Sequence, residues 1–587
     1  MTQRSNGYLV LFGLGLLIAL AYGSWIFNMF KRPVLPELLT DPFLQKPTPS
    51  TTNVVWFTEF AGDRHFVEYG SGLDQQQQAT TTLLSRTQED NPAVEADKSS
   101  NDTAPIRRAI WRHEATISGL TPDQRIPYRV VSLDGNRRIE SESYSLTPLP
   151  TAGTPLKILL TSDHQQKPMT PANLQKVVET VGQVDAVFMA GDLVNIPDRA
   201  SEWFDGDGGF FKALQGKAEG ALTYDDVTTV YRGGPIIQSA PLYPAVGNHE
   251  VMGRVSDKTL GDQFNDPVPR AIAAQRYDEN VDEINPTGNP AIREAWLKDH
   301  SFNIDTYQEI FTLPESPSGG SKYYGVTFGD VRLVSLYVTN IWRRPSLGPD
   351  VKGRYRESDG DLDNPENWGF GQHIFEAIGP GSPQYEWLQQ ELASAPWQQA
   401  RYRVVMFHHP PHSLGDNIVP AYTDPVQIID YLPDGKLKSV RYEYPQSADY
   451  LMQYVLPSVE AAGADLVFYG HDHLWNRFVS PGGMHFLETS NVGNTYGASW
   501  QGNRREVPLG FQEQYVPLGD PNGLEPIVPT IEPLLDEDGE PQPFVASNEI
   551  TVFSILDTAQ GTVSSYRFDT KAPDSEVVEF DEFTLSP

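Results

Sequence analysis

The sequence contains no cysteine among its 587 residues. Disulfide bonds, thiolate nucleophiles and zinc sites with sulfur ligands are therefore excluded. The lack of cysteine does not indicate a compartment, because oxidising compartments permit disulfides without requiring them. A metal site in this protein must be built from oxygen and nitrogen ligands.

Positive charge is also scarce. The 44 Lys and Arg residues stand against 77 Asp and Glu residues, so the formal net charge is −33. A protein with this charge repels nucleic-acid phosphates, and we expect no nucleic-acid binding. A polyanionic substrate would have to be attracted by local positive charge, which bound metal ions can supply.

A long uncharged segment lies near the N-terminus. No charged residue occurs from Tyr8 to Phe30, and a helix of this length can span a membrane. Residues 1–32 are therefore predicted to be a transmembrane anchor or a signal segment. We expect the helix to insert in a membrane and the body to be exported, to a periplasmic or extracellular location. The alternative is secretion after cleavage, because Ala19-Leu20-Ala21 resembles a signal-peptide cleavage site.

The chain that follows is long enough for two or three domains. Residues 33–50 contain five prolines and are predicted to be a Pro-rich linker that forms an extended tether. Residues 51–150 contain short β-branched and aromatic runs separated by turn residues, such as Val54–Phe57. This pattern predicts a small all-β sandwich.

Residues 151–587 are predicted to be an α/β domain with long inserts. Leu156–Thr161 and Asp185–Ala190 are apolar enough to be buried strands, and the segment Pro171–Gly182 between them has helical spacing. Such a β-α-β unit predicts parallel strands. The same alternation of helix and strand returns between residues 385 and 469.

Polar motifs follow several of these strands. In an open α/β sheet the carboxyl ends of parallel strands converge on one crevice, so residues distant in sequence meet there. Each motif alone is more often a turn, a helix cap or a core histidine, whereas the ordered set points to a metal centre. The motifs are Ser162-Asp163-His164-Gln165, Gly191-Asp192, Gly247-Asn248-His249-Glu250, His408-His409-Pro410 and Gly470-His471-Asp472-His473.

The residue types in these motifs suit divalent metals. Carboxylate, amide oxygen and imidazole are the ligands expected for manganese, iron or zinc where thiolate is absent. The spacing of His471 and His473 suits a strand end or a tight turn, because residues i and i+2 of a strand share one face.

The ordered set resembles the motifs of the calcineurin-like metallophosphoesterases. The resemblance covers most of residues 156–569 and implies a four-layer α/β/β/α sandwich. The strand-rich segment before it, which includes Trp56 and Val67-Glu68-Tyr69, looks like the fibronectin type III-like domain of purple acid phosphatases. That likeness implies a small sandwich in front of the catalytic domain.

The resemblance also implies a function and a role for each site residue. The protein would hydrolyse a phosphomonoester or phosphodiester with a hydroxide that bridges two ions of iron, manganese or zinc. Asp192 would bridge the ions and His249 would protonate the leaving oxygen. The remaining metal ligands would be Asp163 and His473 at the first ion, and Asn248, His408 and His471 at the second.

Two positions depart from the family pattern. The first motif ends in Gln165 where the family has a histidine ligand, and Asn195 stands where purple acid phosphatases have a tyrosine ligand. His164 is one place away from the histidine position, and on a strand it would face the opposite side. The first ion would then bind through the oxygen of Gln165 or Asn195, through water, or weakly. These departures leave open a second hypothesis, a membrane-anchored binding module with lost or weak turnover.

Overall fold

The computed structural model describes residues 37–92, 103–342, 355–365, 368–369, 372–417, 423, 425–505 and 514–585. The predicted membrane or signal segment, residues 1–32, lies outside these described residues. None of the helices in the described part of the chain has the length and apolar character that crossing a membrane requires.

The described residues up to 150 form antiparallel sheets. One sheet runs in the order β1-β2-β8-β5, and another in the order β10-β9-β3-β4 with β11 beside β9. A shared core, which includes Trp56, Val67 and Tyr128, lies between them. The strands are β1 (Phe43–Gln45), β2 (Thr51–Thr58), β3 (Arg64–Tyr69), β4 (Gln75–Gln78), β5 (Thr80–Leu83), β6 (Gln88–Glu89), β7 (Ile106–Arg107), β8 (Trp111–Ser118), β9 (Ile126–Asp134), β10 (Arg137–Glu140) and β11 (Tyr144–Leu146).

The predicted linker, residues 33–50, differs from the structure. Its described part includes β1, which pairs antiparallel with β2 so that Phe43 lies opposite Val55. Pro42 and Pro47 flank this edge strand, where a missing backbone N–H breaks no ladder. The sandwich therefore begins before residue 51, and the proline content alone was misleading.

Side chains of β1 and β2 pack in two cores, because successive residues of a strand point to opposite faces. Leu44 and Trp56 lie inside the sandwich. Phe43 and Phe57 face the other way and belong to the core of the larger domain. The ring of Phe57 is 4.9 Å from that of Phe204. The sandwich is thus packed against the larger domain through a buried aromatic contact.

The larger domain is built on two mixed sheets, with strand orders β16-β13-β12-β28-β29-β30 and β17-β18-β21-β24-β26-β25-β27. Its strands are β12 (Lys157–Thr161), β13 (Ala186–Met189), β14 (Gly220–Tyr224), β15 (Val227–Tyr231), β16 (Leu242–Pro244), β17 (Tyr324–Phe328), β18 (Val331–Ser335), β19 (Thr339–Trp342), β20 (His373–Phe375), β21 (Tyr402–Met406), β22 (Val426–Tyr431), β23 (Leu437–Glu443), β24 (Leu466–Tyr469), β25 (Trp475–Val479), β26 (His485–Thr489), β27 (Phe544–Val545), β28 (Ile550–Asp557), β29 (Thr562–Asp569) and β30 (Val578–Thr584).

The helices lie between and beside these strands. The predicted β-α-β unit is present as β12, α1 and β13, and β12 and β13 are parallel. A π-helical turn over Leu451–Val455 precedes the last helix. The helices are α1 (Thr170–Val181), α2 (Ala200–Phe204), α3 (Phe210–Leu214), α4 (Leu260–Phe264), α5 (Arg270–Glu279), α6 (Val281–Ile284), α7 (Pro290–Asp299), α8 (Asp305–Ile310), α9 (Pro383–Leu392), α10 (Ala395–Gln399) and α11 (Leu456–Ala461).

The two large sheets pack against each other through one apolar core. The ring of Trp475 on β25 is 4.8 Å from that of Phe580 on β30, and its indole N–H donates to Ser565 on β29. Within each sheet, parallel pairs join β12, β13 and β16, and join β21 to β24. Their carboxyl ends therefore open on a common crevice.

Candidate metal centre

Five strands of the two sheets deliver the predicted ligands to this crevice. Each ligand follows directly, or within a few residues, the carboxyl end of its strand. The pairs are β12 with Asp163, β13 with Asp192, β16 with Asn248, β21 with His408, and β24 with His471 and His473. The ligands that lie far apart in sequence are thereby brought together.

Four predicted donors converge at the second metal position. His408 Nε2 lies 3.2 Å from Asp192 Oδ2 and 3.1 Å from Asn248 Oδ1. His471 Nδ1 lies 3.1 Å from the same Asn248 oxygen and 3.2 Å from His408 Nε2. All four residues are buried. One carboxylate oxygen, one amide oxygen and two imidazole nitrogens face one point. This donor set suits a divalent cation.

The imidazole of His408 is oriented by a backbone carbonyl. Its Nδ1 donates to the oxygen of Ala190 at 2.8 Å, which leaves Nε2 directed at Asp192. Burial alone would lower the pKa of His408, but the Asp192 carboxylate outweighs it and raises the pKa to about 10. Asp192 responds in the opposite direction: burial would raise its pKa, whereas His408 and His249 hold it well below the usual range. A metal ion bound here would replace this proton.

The first metal position brings together Asp163, His473 and Gln165. His473 Nδ1 donates to the carbonyl of Asn494 at 2.8 Å, and its Nε2 lies 3.4 Å from Asp163 Oδ1. That carboxylate oxygen is buried and has no hydrogen-bond partner in the described structure. An unpaired buried carboxylate oxygen beside an oriented imidazole also fits a cation.

Gln165 faces this position with its amide nitrogen. Gln165 Nε2 donates to Asp192 Oδ2 at 2.7 Å. Gln165 Oε1 is buried and has no hydrogen-bond partner in the described structure. The residue that replaces a ligand histidine therefore bonds to the predicted bridging carboxylate.

Asn195 lies behind Gln165. Asn195 Nδ2 donates to the backbone oxygen of Gln165 at 2.6 Å. The backbone oxygen of Asn195 accepts a bond of 2.6 Å from His249 Nδ1. In this arrangement Asn195 positions its two neighbours.

His249 stands at the rim of the centre. Its Nε2 is 4.0 Å from Asp192 Oδ2, and 22% of its side chain is exposed. Its ring stacks on Phe264 at 5.1 Å. Burial lowers the pKa of His249, and the charge of Asp192 acts in the opposite direction. Exposure toward the crevice beside Asp192 suits a proton donor to a bound substrate.

His164 points away from the centre, although it lies in the loop after β12 and not in the strand itself. Its Nε2 lies 2.9 Å from Thr161 Oγ1, and its ring is 6.4 Å from that of Phe210. Burial lowers the pKa of His164 to about 3, so its imidazole is neutral. It does not take the place of the missing ligand.

Backbone strain is concentrated at the centre. Several of its residues have positive φ, which is uncommon for residues other than glycine and is adopted more readily by Asp, Asn and His than by Gln. They are Asp163 (58°), Gln165 (38°), Asp192 (55°), His471 (88°) and His473 (56°). Non-glycine residues keep this conformation only where the surrounding structure imposes it. The strand-end loops are thus shaped to aim these side chains.

Two further residues near the centre were not predicted from the sequence. Lys167 is buried, and the nearby charges of Asp163 and Asp192 oppose the lowering of its pKa by burial. Tyr496 stacks on His473 at 4.9 Å and keeps 48% of its surface exposed, so it forms a wall of the crevice. Neither residue belongs to a motif, and local sequence carries no signal for either.

A family model describes the segment that contains this centre. Residues 156–474 match the model of the calcineurin-like phosphoesterases. The chain belongs to the calcineurin-like phosphoesterase family. The matched residues run from β12 to the residue after His473, so they span the candidate ligands. The resemblance noted in the sequence is confirmed at this level.

Comparison with individual proteins adds less. No curated protein sequence matches this chain. Among solved structures, GAP50, the anchor in the inner membrane complex of Plasmodium, aligns over 73% of this chain and 90% of its own length. The identity is 10% and the TM-score is 0.30. Nothing about this chain is inferred from so distant a likeness.

Proposed function

We propose that this calcineurin-like phosphoesterase hydrolyses a phosphomonoester or phosphodiester at a centre for two metal ions. The proposal rests above all on the second position, where donor atoms of Asp192, Asn248, His408 and His471 converge at 3.1–3.2 Å. Bound ions would polarise the phosphoryl oxygens and lower the pKa of a water between them. Iron, manganese and zinc all suit this donor set.

Residues of the chain would hold the metal ions and protonate the leaving oxygen of the substrate. Asp192 is shared by the two positions, because its Oδ2 contacts both His408 and Gln165. His249 faces the exposed side, and with its Nδ1 bonded to Asn195 its Nε2 is free to carry a proton to the leaving oxygen. Tyr496 and Phe264 border the crevice as apolar walls.

The finer predictions about architecture and location belong to the same proposal. The stacked sheets with adjacent helices support a four-layer α/β/β/α catalytic domain. The sandwich before it supports a fibronectin type III-like domain and a purple acid phosphatase-like arrangement. The apolar segment within residues 1–32 supports a membrane anchor with an exported body, or secretion after cleavage.

A binding function with lost or weak turnover is the second candidate. The hydrogen bond from Gln165 Nε2 to Asp192 Oδ2 favours it, because a neutral donor occupies the place of a metal ligand. The intact second position and the aligned His249 oppose it. Catalysis decides between the two.

The test is hydrolysis by the full chain after metal removal. The chain would be stripped with a chelator, resupplied with Mn²⁺, Fe²⁺ or Zn²⁺, and assayed on a chromogenic phosphomonoester and a phosphodiester. We expect turnover that requires metal and is lost in Asp192→Asn. Asp226→Asn is the matched control, since Asp226 is exposed in a hairpin turn at φ 64° that asparagine tolerates.

The outcome separates the candidates. Metal-dependent turnover in the chain and in Asp226→Asn, but not in Asp192→Asn, supports the enzyme, and the preferred ester defines its class. A folded chain that binds metal and hydrolyses neither ester contradicts the proposal and favours the binding function.

A further inference from the structure

The two metal positions differ in how well their donor atoms are aligned for an ion. At the second position the donor atoms already face one another, and His408 is oriented by Ala190. None of these side chains has to rotate before an ion binds. Binding to preorganised ligands avoids the cost of ordering them.

At the first position an amide donor faces the shared carboxylate. A carboxylate oxygen only accepts hydrogen bonds, so the group 2.7 Å from Asp192 Oδ2 must be the NH₂ of Gln165. The amide oxygen, which alone could bind a metal, is buried and has no hydrogen-bond partner in the described structure. To place this oxygen where the NH₂ now meets Asp192, the amide would have to turn over and give up a hydrogen bond to a charged acceptor.

The backbone of Gln165 restricts any other adjustment. Its N–H donates to the oxygen of Leu193 at 3.1 Å, and its carbonyl accepts from Asn195 at 2.6 Å. The residue is held at φ 38° between these bonds. A backbone held in this way leaves rotation of the side chain as the available movement.

We propose that Gln165 makes the two metal positions unequal in affinity. The chain then holds one ion tightly at the second position and another weakly and exchangeably at the first. This inference rests on the metal centre of the proposed function. Besides the shared Asp192, the first position retains Asp163 and His473 but has the amide of Gln165 in place of a histidine ligand. Its occupancy would then follow the free metal concentration rather than remain constant.

The test counts ions, independently of activity. The full chain would be stripped, titrated with Mn²⁺ by calorimetry, and examined by elemental analysis after dialysis and by electron paramagnetic resonance. We expect one retained equivalent with the spectrum of an isolated ion. The second equivalent should bind roughly 10- to 100-fold more weakly, the range that misplaced ligand support usually costs.

Gln165→His places an imidazole at the same position. This variant should bind the second equivalent of Mn²⁺ more tightly and give the spectrum of a coupled pair of ions. Gln166→His is the matched control, because its side chain contacts the carbonyl of Ser201 instead of Asp192. This control should leave both affinities unchanged. Asp163→Asn should abolish the weak equivalent and preserve the tight one, which keeps the test valid if Gln165→His fails to fold.

Ion counts test this inference, whereas hydrolysis tests the proposed function, so the two can fail separately. Two tight equivalents in the unaltered chain, or no change in the second equivalent in folded Gln165→His, would overturn the inequality. Hydrolysis by a chain that binds two ions tightly would support the proposed function and contradict the inequality of the two positions. One tight ion without hydrolysis would support the inequality and contradict the enzyme.

Discussion

The carboxylate of Glu250 accepts a hydrogen bond of 2.9 Å from the backbone N–H of Asp192. It also accepts bonds of 2.7 Å from the N–H groups of Leu193 and Gly247. One fully buried side chain thus ties the loop after β13 to the loop that carries Asn248. Burial, followed by the charge of Asp192, acts to raise the pKa of Glu250, and the hydrogen bonds from the N–H groups of Leu193 and Gly247 act to lower it.

Glu250→Gln tests this tie. The amide has one acceptor oxygen and would turn its NH₂ toward a backbone N–H, leaving a buried donor unpaired at about 1–3 kcal/mol. We expect a lower melting temperature and metal affinity reduced roughly 10- to 100-fold. Thermal unfolding and Mn²⁺ titration provide the measurements. Glu283→Gln, on an exposed helix position, should change neither, and equal behaviour of the two variants would refute the role.

His249→Ala tests the proton donor. Because an alkoxide leaves poorly without a proton, turnover of an alkyl phosphate should fall by about 10²–10⁴-fold. Turnover of a nitrophenyl phosphate should fall much less, since nitrophenolate is a stable leaving group. The comparison of kcat for the two esters is the measurement. An equal loss with both esters would indicate that the imidazole of His249 does not protonate the leaving oxygen, since the backbone N–H that donates to Asp192 is kept in the variant.

Gly470→Ala tests the close approach of two strand-end loops. A Cβ at this residue would lie 2.1 Å from Ser162 Oγ and 2.2 Å from Asp163 Oδ2. The neighbouring loop must move, so we expect weaker metal binding and lower stability. Gly502→Ala is the control because its added Cβ meets nothing within 4 Å. Unchanged metal titrations in both variants would argue against the packing that defines the centre.

The sandwich carries a pH-dependent stability of its own. The rings of His65 and His113 stack at 3.6 Å, and burial lowers the pKa of His113 to about 2. The unfolded chain takes up a proton near the ordinary pKa of 6.5, whereas the folded chain does not. The free energy of unfolding should therefore fall as pH decreases below 6.5, by at most about 1.4 kcal/mol per pH unit for this residue.

His113→Gln should reduce that slope. Denaturant unfolding at pH 7.5, 6 and 5 measures it, with His300→Gln, at a half-buried histidine that follows α7, as the control. A His113→Gln slope equal to that of the unaltered chain would assign the pH dependence to other groups. A shallower slope in His113→Gln alone supports the buried neutral pair.

Local pattern was sufficient to locate the catalytic scaffold. The apolar runs before Asp163, Asp192 and His471 became strands, because burial on both faces of a parallel strand requires continuous apolar sequence. Polar motifs after such runs then had to lie at strand ends.

Pattern was insufficient where a contact is made at long range. The residues 43–45 form a strand only because β2 offers them an edge, and prolines nearby disguised it. Between residues 385 and 469, where the sequence predicts helices alternating with strands, one helical segment is a π-helical turn followed by a short α-helix. Lys167 and Tyr496 reach the centre through loops whose course no short motif records.

The sequence by itself determined the family, the residue types of the metal centre and their order along the chain, since these depend on local patterns of apolar strand and polar turn. The tertiary structure alone decided which atoms face one another. It directs the amide nitrogen of Gln165 at Asp192, and it places Glu250 under three backbone N–H groups. Hydrogen-bond direction depends on atoms brought together from distant strands, and spacing along the chain does not contain it.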